Sequence, residues 1–179
     1  MARHLLLAVV AALVTLTGAG VAVALATGEG PPAPAAAGDG SRAVTVRAPD
    51  GAVVARVPLD GDLFAVGYRN SVYRTLAEER YRVLPDGRFE LVELAAEQVA
   101  VLEEYYAVPG APRPAPPGDR MTHVVPPDPA RPAVFDELSI AATDLGERTL
   151  HVPGAEPVPI WQLVVTDDPT VILDIEENR

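Results

Sequence analysis

Cysteine is absent from the 179-residue chain. With it go every disulfide, every thiolate nucleophile, lipid attachment at a cysteine, and any cysteine-ligated zinc or iron site. A domain of this size without disulfides must be held by its core. Lysine is absent as well: all 14 basic residues are arginine, set against 25 acidic ones. That bias fits codon composition and carries no function. A net charge of −11 repels phosphate backbones and argues against nucleic acid as a partner. Histidine occurs three times, at His4, His123 and His151, too few and too scattered to support a zinc site.

Hydrophobic residues make up 49% of the chain, and it carries 19 prolines. Proline is excluded from helix interiors and central strand positions, so the combination suits a β-rich globule with many turns. Residues 1–26, MARHLLLAVVAALVTLTGAGVAVALA, join a basic start at Arg3 to an uncharged run from Leu5 to Ala26. Ala24-Leu25-Ala26 has the small-residue pattern of a leader cleavage site, which reads as a signal peptide. The same run is long enough to cross about 30 Å of hydrocarbon, which reads as a membrane anchor. Both readings stay open, and both place the remainder of the chain outside the cytoplasm, in keeping with Arg3 on the inner side. Residues 27–42, rich in Gly, Pro and Ala, form a flexible linker.

From residue 43 to 176 the pattern is that of a single β-rich domain. Pro-Asp-Gly occurs at 49–51 and again at 85–87, each time between two β-type runs: VTVRA (44–48) and AVVARV (52–57), then YRVL (81–84) and FELVEL (89–94). Proline sets φ at the first corner and glycine accepts the positive φ that closes a hairpin. Further strands are expected over 63–68, 134–141, 148–152, 160–166 and 170–175, giving an all-β, mostly antiparallel sandwich or barrel. One short helix is expected over Leu94–Tyr106, beside the N-terminal hydrophobic one. A Pro-rich loop over 108–133 is expected to be polyproline-like and without regular elements.

The stretch YRNSVYRTLAEERYRV, Tyr68 to Val83, is the most informative. Strand alternation puts Asn70 and Glu79 on faces shared with Phe64, Val66, Tyr68, Tyr81 and Val83, while Arg69, Arg80 and Arg82 fall on the opposite parity, toward water. A carboxylate on an apolar face has to be paired, which suggests a hydrogen-bonded network joining Asn70, Ser71 and Glu79. Thr75 and Glu78 have capping-box spacing for a single helical turn between the strands.

These residues resemble the signature of the family called domain of unknown function 1850. There an aromatic-x-His-Ser-Val segment is followed by a basic residue, a threonine and a Glu-Glu or similar pair before another strand. The resemblance covers Tyr68 to Val83 and implies a small exported or membrane-anchored domain associated with the TAXI class of tripartite ATP-independent periplasmic (TRAP) transporters. Its permease or solute receptor would then be the partner, and Tyr68, Asn70, Ser71, Arg74, Glu78 and Glu79 would be the ligand or partner contacts. Asn70 stands where the family has histidine, and Tyr73 where an acidic residue is common. An asparagine neither titrates nor readily binds a transition metal, so acid-base chemistry at this position is disfavoured.

Ser71 lacks the G-x-S-x-G surroundings of a hydrolase nucleophile, and no enzyme activity or cofactor is expected. The acidic pairs Glu103-Glu104, Asp167-Asp168 and Glu176-Glu177 lack the alternating ligands of a calcium loop, and Trp161 reads as a core anchor. Two readings follow. The first is a non-enzymatic extracytoplasmic accessory domain of a TRAP (TAXI-type) solute transport system, which carries the expectation that calcium, zinc and common organic acids do not stabilise it. The second is an independent module binding a small ligand or metal ion between the Asn70 strand and the Pro-rich loop.

Overall fold

The two Pro-Asp-Gly triplets build the same turn twice. In each, the residue before proline accepts a hydrogen bond from the glycine N–H, at 2.9 Å for Ala48 and 3.1 Å for Leu84, and its own N–H bonds across the turn to Ala52 or Arg88. The aspartates, Asp50 and Asp86, each accept the N–H two residues on. Gly51 and Gly87 sit at φ +87° and +85°, a region that a Cβ disfavours. This is the three-residue hairpin in which a turn ends in a left-handed glycine.

The computed structural model describes residues 42–164 and 168–177, all within one compact unit, Ala36–Arg179. The expected leader or anchor and the linker through Ser41 lie outside the described residues. The strands are β1 (Arg42–Arg47), β2 (Val53–Pro58), β3 (Leu63–Arg69), β4 (Leu76–Val83), β5 (Phe89–Ala96), β6 (Arg113–Pro114), β7 (His123–Val125), β8 (Val134–Phe135), β9 (Glu137–Ala141), β10 (Thr149–His151), β11 (Val158–Pro159) and β12 (Thr170–Glu177). Among the described residues they form a four-stranded sheet, β2-β1-β12-β9, and an eight-stranded one, β11-β10-β3-β4-β5-β7-β6 with β8 also on β5. Every pairing is antiparallel. No helix among the described residues is long and apolar enough to cross a membrane.

One core joins the two sheets. Val44, Val46, Val171 and Leu173 come from the smaller sheet, and Phe64, Val66, Tyr81, Val83, Phe89 and Leu150 from the larger. Phe64, Tyr81, Phe89 and Phe135 pack ring on ring, with centroids 5.1 to 6.1 Å apart. Such pairs add about 0.5–1.5 kcal/mol each beyond the area they bury. Trp161 packs against this core.

Several expectations are corrected. The expected helix over Leu94–Tyr106 is strand at its start, because Leu94 to Ala96 pair with both β4 and β7. Helix begins only at Val99 and ends in a single wide turn over Val101–Tyr105, closed by the Tyr106 N–H on the Val101 carbonyl. It lays Val101 and Leu102 on the end of the large sheet beside Tyr68, Ala77 and Leu94. The run expected to be a strand from 160 begins instead with a short 3₁₀ turn, Ile160–Gln162, in which the Ile160 carbonyl takes the Leu163 N–H locally. The run over 134–141 breaks at Asp136: Val134 and Phe135 pair with β5 in one sheet, and Glu137 onward with β12 in the other.

The Pro-rich segment also departs from its expectation, since it contains the β6–β7 hairpin. β7 pairs with the edge of β5, and Met121 and Val124 bury against Ala95 on the outer face of the large sheet. A turn at Pro116-Pro117-Gly118-Asp119, closed by the Asp119 N–H on the Pro116 carbonyl, reverses the chain between them. Proline then glycine with positive φ at its two corners is the chemistry of a type II turn.

Candidate functional site

Glu78 and Glu79 are neighbours in β4, so the pleat sends their side chains to opposite faces of the large sheet. Glu78 lies opposite Gly67 of β3 and Ala95 of β5, on the outer face. Glu79 lies opposite Val66 and Leu94, on the inner one. The pair quoted for the family resemblance thus serves two separate constellations.

On the outer face Glu78 is completely buried and held between two guanidinium groups. Its Oε1 accepts from Arg120 Nε at 2.6 Å, and its Oε2 from Arg120 Nη2 at 3.1 Å and from Arg80 Nε and Nη2 at 3.1 and 3.0 Å. Arg80 gives its remaining N–H groups to Asp119, at 2.9 and 2.6 Å, and to Glu93 at 2.9 Å. All five guanidinium donors are therefore used. Burial alone would lower the Arg80 pKa, but hydrogen bonds and charge from Asp119 and Glu78 outweigh it and hold the guanidinium above its ordinary value. The hydrogen bonds from Arg80 hold the Asp119 carboxyl below the usual carboxylate range. Arg113 bonds the other oxygen of Glu93. Arg80 was expected in water; the folded-back Pro-rich segment covers it, bringing Asp119 and Arg120 onto this face.

Beside this cluster opens a cleft of about 500 Å³, lined by Leu63, Ala65, Arg80, Arg82, Val92, Glu93, Asp119, Arg120, His151 and Pro153 among others. His151 stands across Ala65 from Arg80 in the strand register. Burial, then the nearby Arg120 charge, lower its pKa, against the opposing pull of Glu78.

On the inner face Glu79 accepts hydrogen bonds from the hydroxyls of Tyr81 at 2.8 Å and Tyr106 at 2.9 Å, and Tyr106 in turn accepts one from Tyr68 at 2.7 Å. The Arg148 guanidinium lies 4.4 Å from the centre of the Tyr68 ring. Burial, reinforced by the Glu79 charge, raises the Tyr81 and Tyr106 hydroxyls well above the usual phenol range. Tyr68 is pushed up to about 12, also by burial, with its bond to Tyr106 pulling the other way. This chain of phenols ties the wide turn at 101–105 to the sheet.

Asn70 belongs to neither constellation. It is 1% exposed, and its Oδ1 accepts the N–H groups of Val72 and Tyr73, both at 3.0 Å. The expected Asn70–Glu79 network is thus replaced by a local cap, because the chain leaves the β3 ladder at Arg69 and the side-chain amide takes up the turn that follows. The expected Thr75–Glu78 capping box is also absent: β4 already runs from Leu76, and Glu78 faces the arginines. Ser71 and Arg74 are exposed at the tip, and Arg74 has φ +56°. Arg69 fastens this tip to the neighbouring loop. It donates its backbone N–H to the Gly146 carbonyl, pairs with Glu147 at 2.9 Å, and bonds the Arg74 carbonyl. Two large apolar side chains stand out from these adjoining turns, Val72 at 69% and Leu145 at 77% exposure.

The six expected contact residues therefore go to three places: Glu78 to the outer face, Tyr68 and Glu79 to the inner face, and Asn70, Ser71 and Arg74 to the tip. Arg80, Glu93, Asp119, Arg120 and His151 escaped the sequence reading as a group. The Pro-Pro-Gly-Asp turn was the signal that could have placed Asp119 and Arg120 opposite a sheet. Among the described residues no three His, Asp or Glu side chains are grouped to hold a metal ion. Comparison of the chain with family models, with curated proteins and with solved structures found no match.

Proposed function

We propose that the chain is an extracytoplasmic accessory domain of a TRAP (TAXI-type) solute transport system, leashed to or released from the membrane through its hydrophobic start, and that it works by binding and not by catalysis. The association with transport rests on the resemblance of Tyr68–Val83, and the location on the leader-like residues 1–26. The observation that carries the binding role is the tip formed by the β3–β4 and β9–β10 turns. Val72 and Leu145 project there beside Ser71 and Arg74, on turns braced by Asn70 and Arg69. A braced turn presents its side chains with little ordering cost on contact. Both glutamates of the motif are already engaged, Glu78 by two arginines and Glu79 by two phenols, which suits scaffolding better than proton transfer. The partner is the permease or the solute receptor of that system.

Two measurements test this. Protease added to intact spheroplasts should digest the domain, and full protection would place it on the wrong side of the membrane. Copurification with the permease or receptor should fall when Val72 and Leu145 are both changed to Asp, with folding unaltered because both side chains are exposed. Undiminished copurification would remove the tip as the contact surface.

A further inference from the structure

The two arginines around Glu78 differ in what they have left to offer. Arg80 has every N–H committed. Arg120 uses only Nε and one Nη2 hydrogen, both on Glu78, so three of its five donors have no acceptor among the described residues. Its side chain is about half exposed and lines the cleft, with its position fixed by a two-point grip on a buried carboxylate. Across the cleft the His151 ring has no hydrogen-bond partner among the described residues. It rests over Gly67, where a Cβ would meet its Nε2 at 3.0 Å. The strand positions beneath the ring are Gly67 and Ala65, small enough to leave a valley between imidazole and guanidinium. Leu63, Val92 and Pro153 add apolar wall.

We infer that this cleft binds a small organic monoanion, a carboxylate on a compact apolar body, with the carboxylate received by the free edge of Arg120 and by the His151 ring. A guanidinium edge matches the two oxygens of a carboxylate in one plane. The charge count sets the valence of the ligand. Arg80, Arg113 and Arg120 are balanced by Glu78, Glu93 and Asp119, three against three, and Arg82 is held apart from them, shared loosely with Asp62 and Glu90 at 3.8 and 3.7 Å. One added negative charge is met by one proton taken up on His151, and a second finds no counterpart. The volume of about 500 Å³ falls in the range of small-molecule sites. The site develops the ligand-binding alternative raised by the sequence, against the expectation that organic acids leave the domain unaffected. It is independent of the tip surface, so either can fail alone.

Proton uptake follows from the surroundings of His151. Arg120 from the 116–121 loop and Arg80 and Arg82 from β4 disfavour the imidazolium, while Glu78, Glu93 and Asp119 favour it. Burial and Arg120 prevail in the free protein. A bound carboxylate neutralises Arg120 and moves the balance toward protonation, so affinity rises as pH falls, by up to about tenfold per pH unit while one proton is exchanged.

Isothermal titration of the purified full-length protein with butyrate, isovalerate and benzoate, against succinate and inorganic phosphate, tests the inference. At least one monocarboxylate should bind saturably and at least tenfold more tightly than succinate or phosphate. Repeating the titration in two buffers of different ionisation enthalpy should reveal proton uptake, and affinity should be higher at pH 6 than at pH 8. Arg120→Gln should weaken binding at least tenfold. Because that change also disturbs Glu78, Gly67→Ala provides a second variant, which moves the imidazole and leaves both arginines in place. It should weaken binding severalfold and abolish the pH dependence with the melting curve intact. Absence of saturable binding by all three monocarboxylates, binding as tight for succinate or phosphate, or binding indifferent to both substitutions would each overturn the assignment.

Discussion

Removing the Glu78 carboxylate, in Glu78→Ala, should destabilise the domain by about 3 kcal/mol, a figure that follows from the partners left behind. Losing one member of a buried ion pair costs about 3–5 kcal/mol, mostly because the other charge is stranded. Arg80 is the stranded group here, its side chain only 18% exposed. It loses two hydrogen bonds, both to Glu78 Oε2, and keeps three, to Asp119 and Glu93. Arg120, half exposed, returns to water at little cost. Both features place the loss at the lower end of the range. For a domain of this size about 3 °C of melting temperature accompanies each kcal/mol, so the drop should be about 10 °C. Urea unfolding followed by circular dichroism measures the free energy directly, with an unchanged slope showing that stability alone has moved. A change below about 0.5 kcal/mol would refute the reasoning, because it would mean that Glu78 is hydrated and the arginine cluster loose.

Other outcomes follow from the same geometry. In the alkaline range, Tyr68, Tyr81 and Tyr106 stay protonated in the folded state while the unfolded chain ionises near pH 10. Stability should therefore be full below about pH 10 and fall as pH rises toward 12, and phenolate absorbance should gain these three tyrosines only on unfolding. Native circular dichroism with all five tyrosines ionised at pH 10.5 would contradict the buried phenol chain. Asp119, held low by Arg80, adds stability that is present above about pH 4 and lost as pH falls through the carboxylate range. Asn70→Ala should cost about 1–2 kcal/mol through two lost caps, while Asn70→Asp, which keeps the accepting oxygen, should cost far less. Equal losses would show that the cap is not the role of Asn70. Gly87→Ala should cost about 1 kcal/mol from its positive φ alone, since a Cβ there meets nothing within 4 Å, and a neutral result in urea unfolding would contradict the turn.

Local chemistry with one dominant cause was legible in the sequence. Pro-Asp-Gly leaves the backbone few alternatives, so both hairpins fall where the sequence puts them. Strand parity placed Glu79 among tyrosines and valines, and there it is paired. Parity also put Arg80 opposite Glu79, correctly, but equated that face with water. Whether a sheet face is wet depends on what covers it, and here the cover comes from residues 113–125, some thirty residues further along the chain. Their prolines masked a hairpin whose strands are short, β7 taking only Leu94–Ala96 of a β5 edge whose other end pairs with β8. The segment from Leu94 failed for a related reason: its alanines, glutamates and leucines favour helix locally, and pairing with β4 and β7 overrides that preference as far as Ala96. Asn70 was misplaced because strand alternation was carried one residue past the end of β3.

The most direct test of the accessory role is a photoreactive residue at Val72 in the full-length chain in living cells, with Asp50 in the β1–β2 turn as the comparison site. On illumination, position 72 should form an adduct with the permease or the solute receptor of a TRAP-type transport system, accessible from outside the cytoplasmic membrane, and position 50 should not. Adducts equally strong from both positions, or adducts from position 72 only with cytoplasmic proteins, would contradict the account.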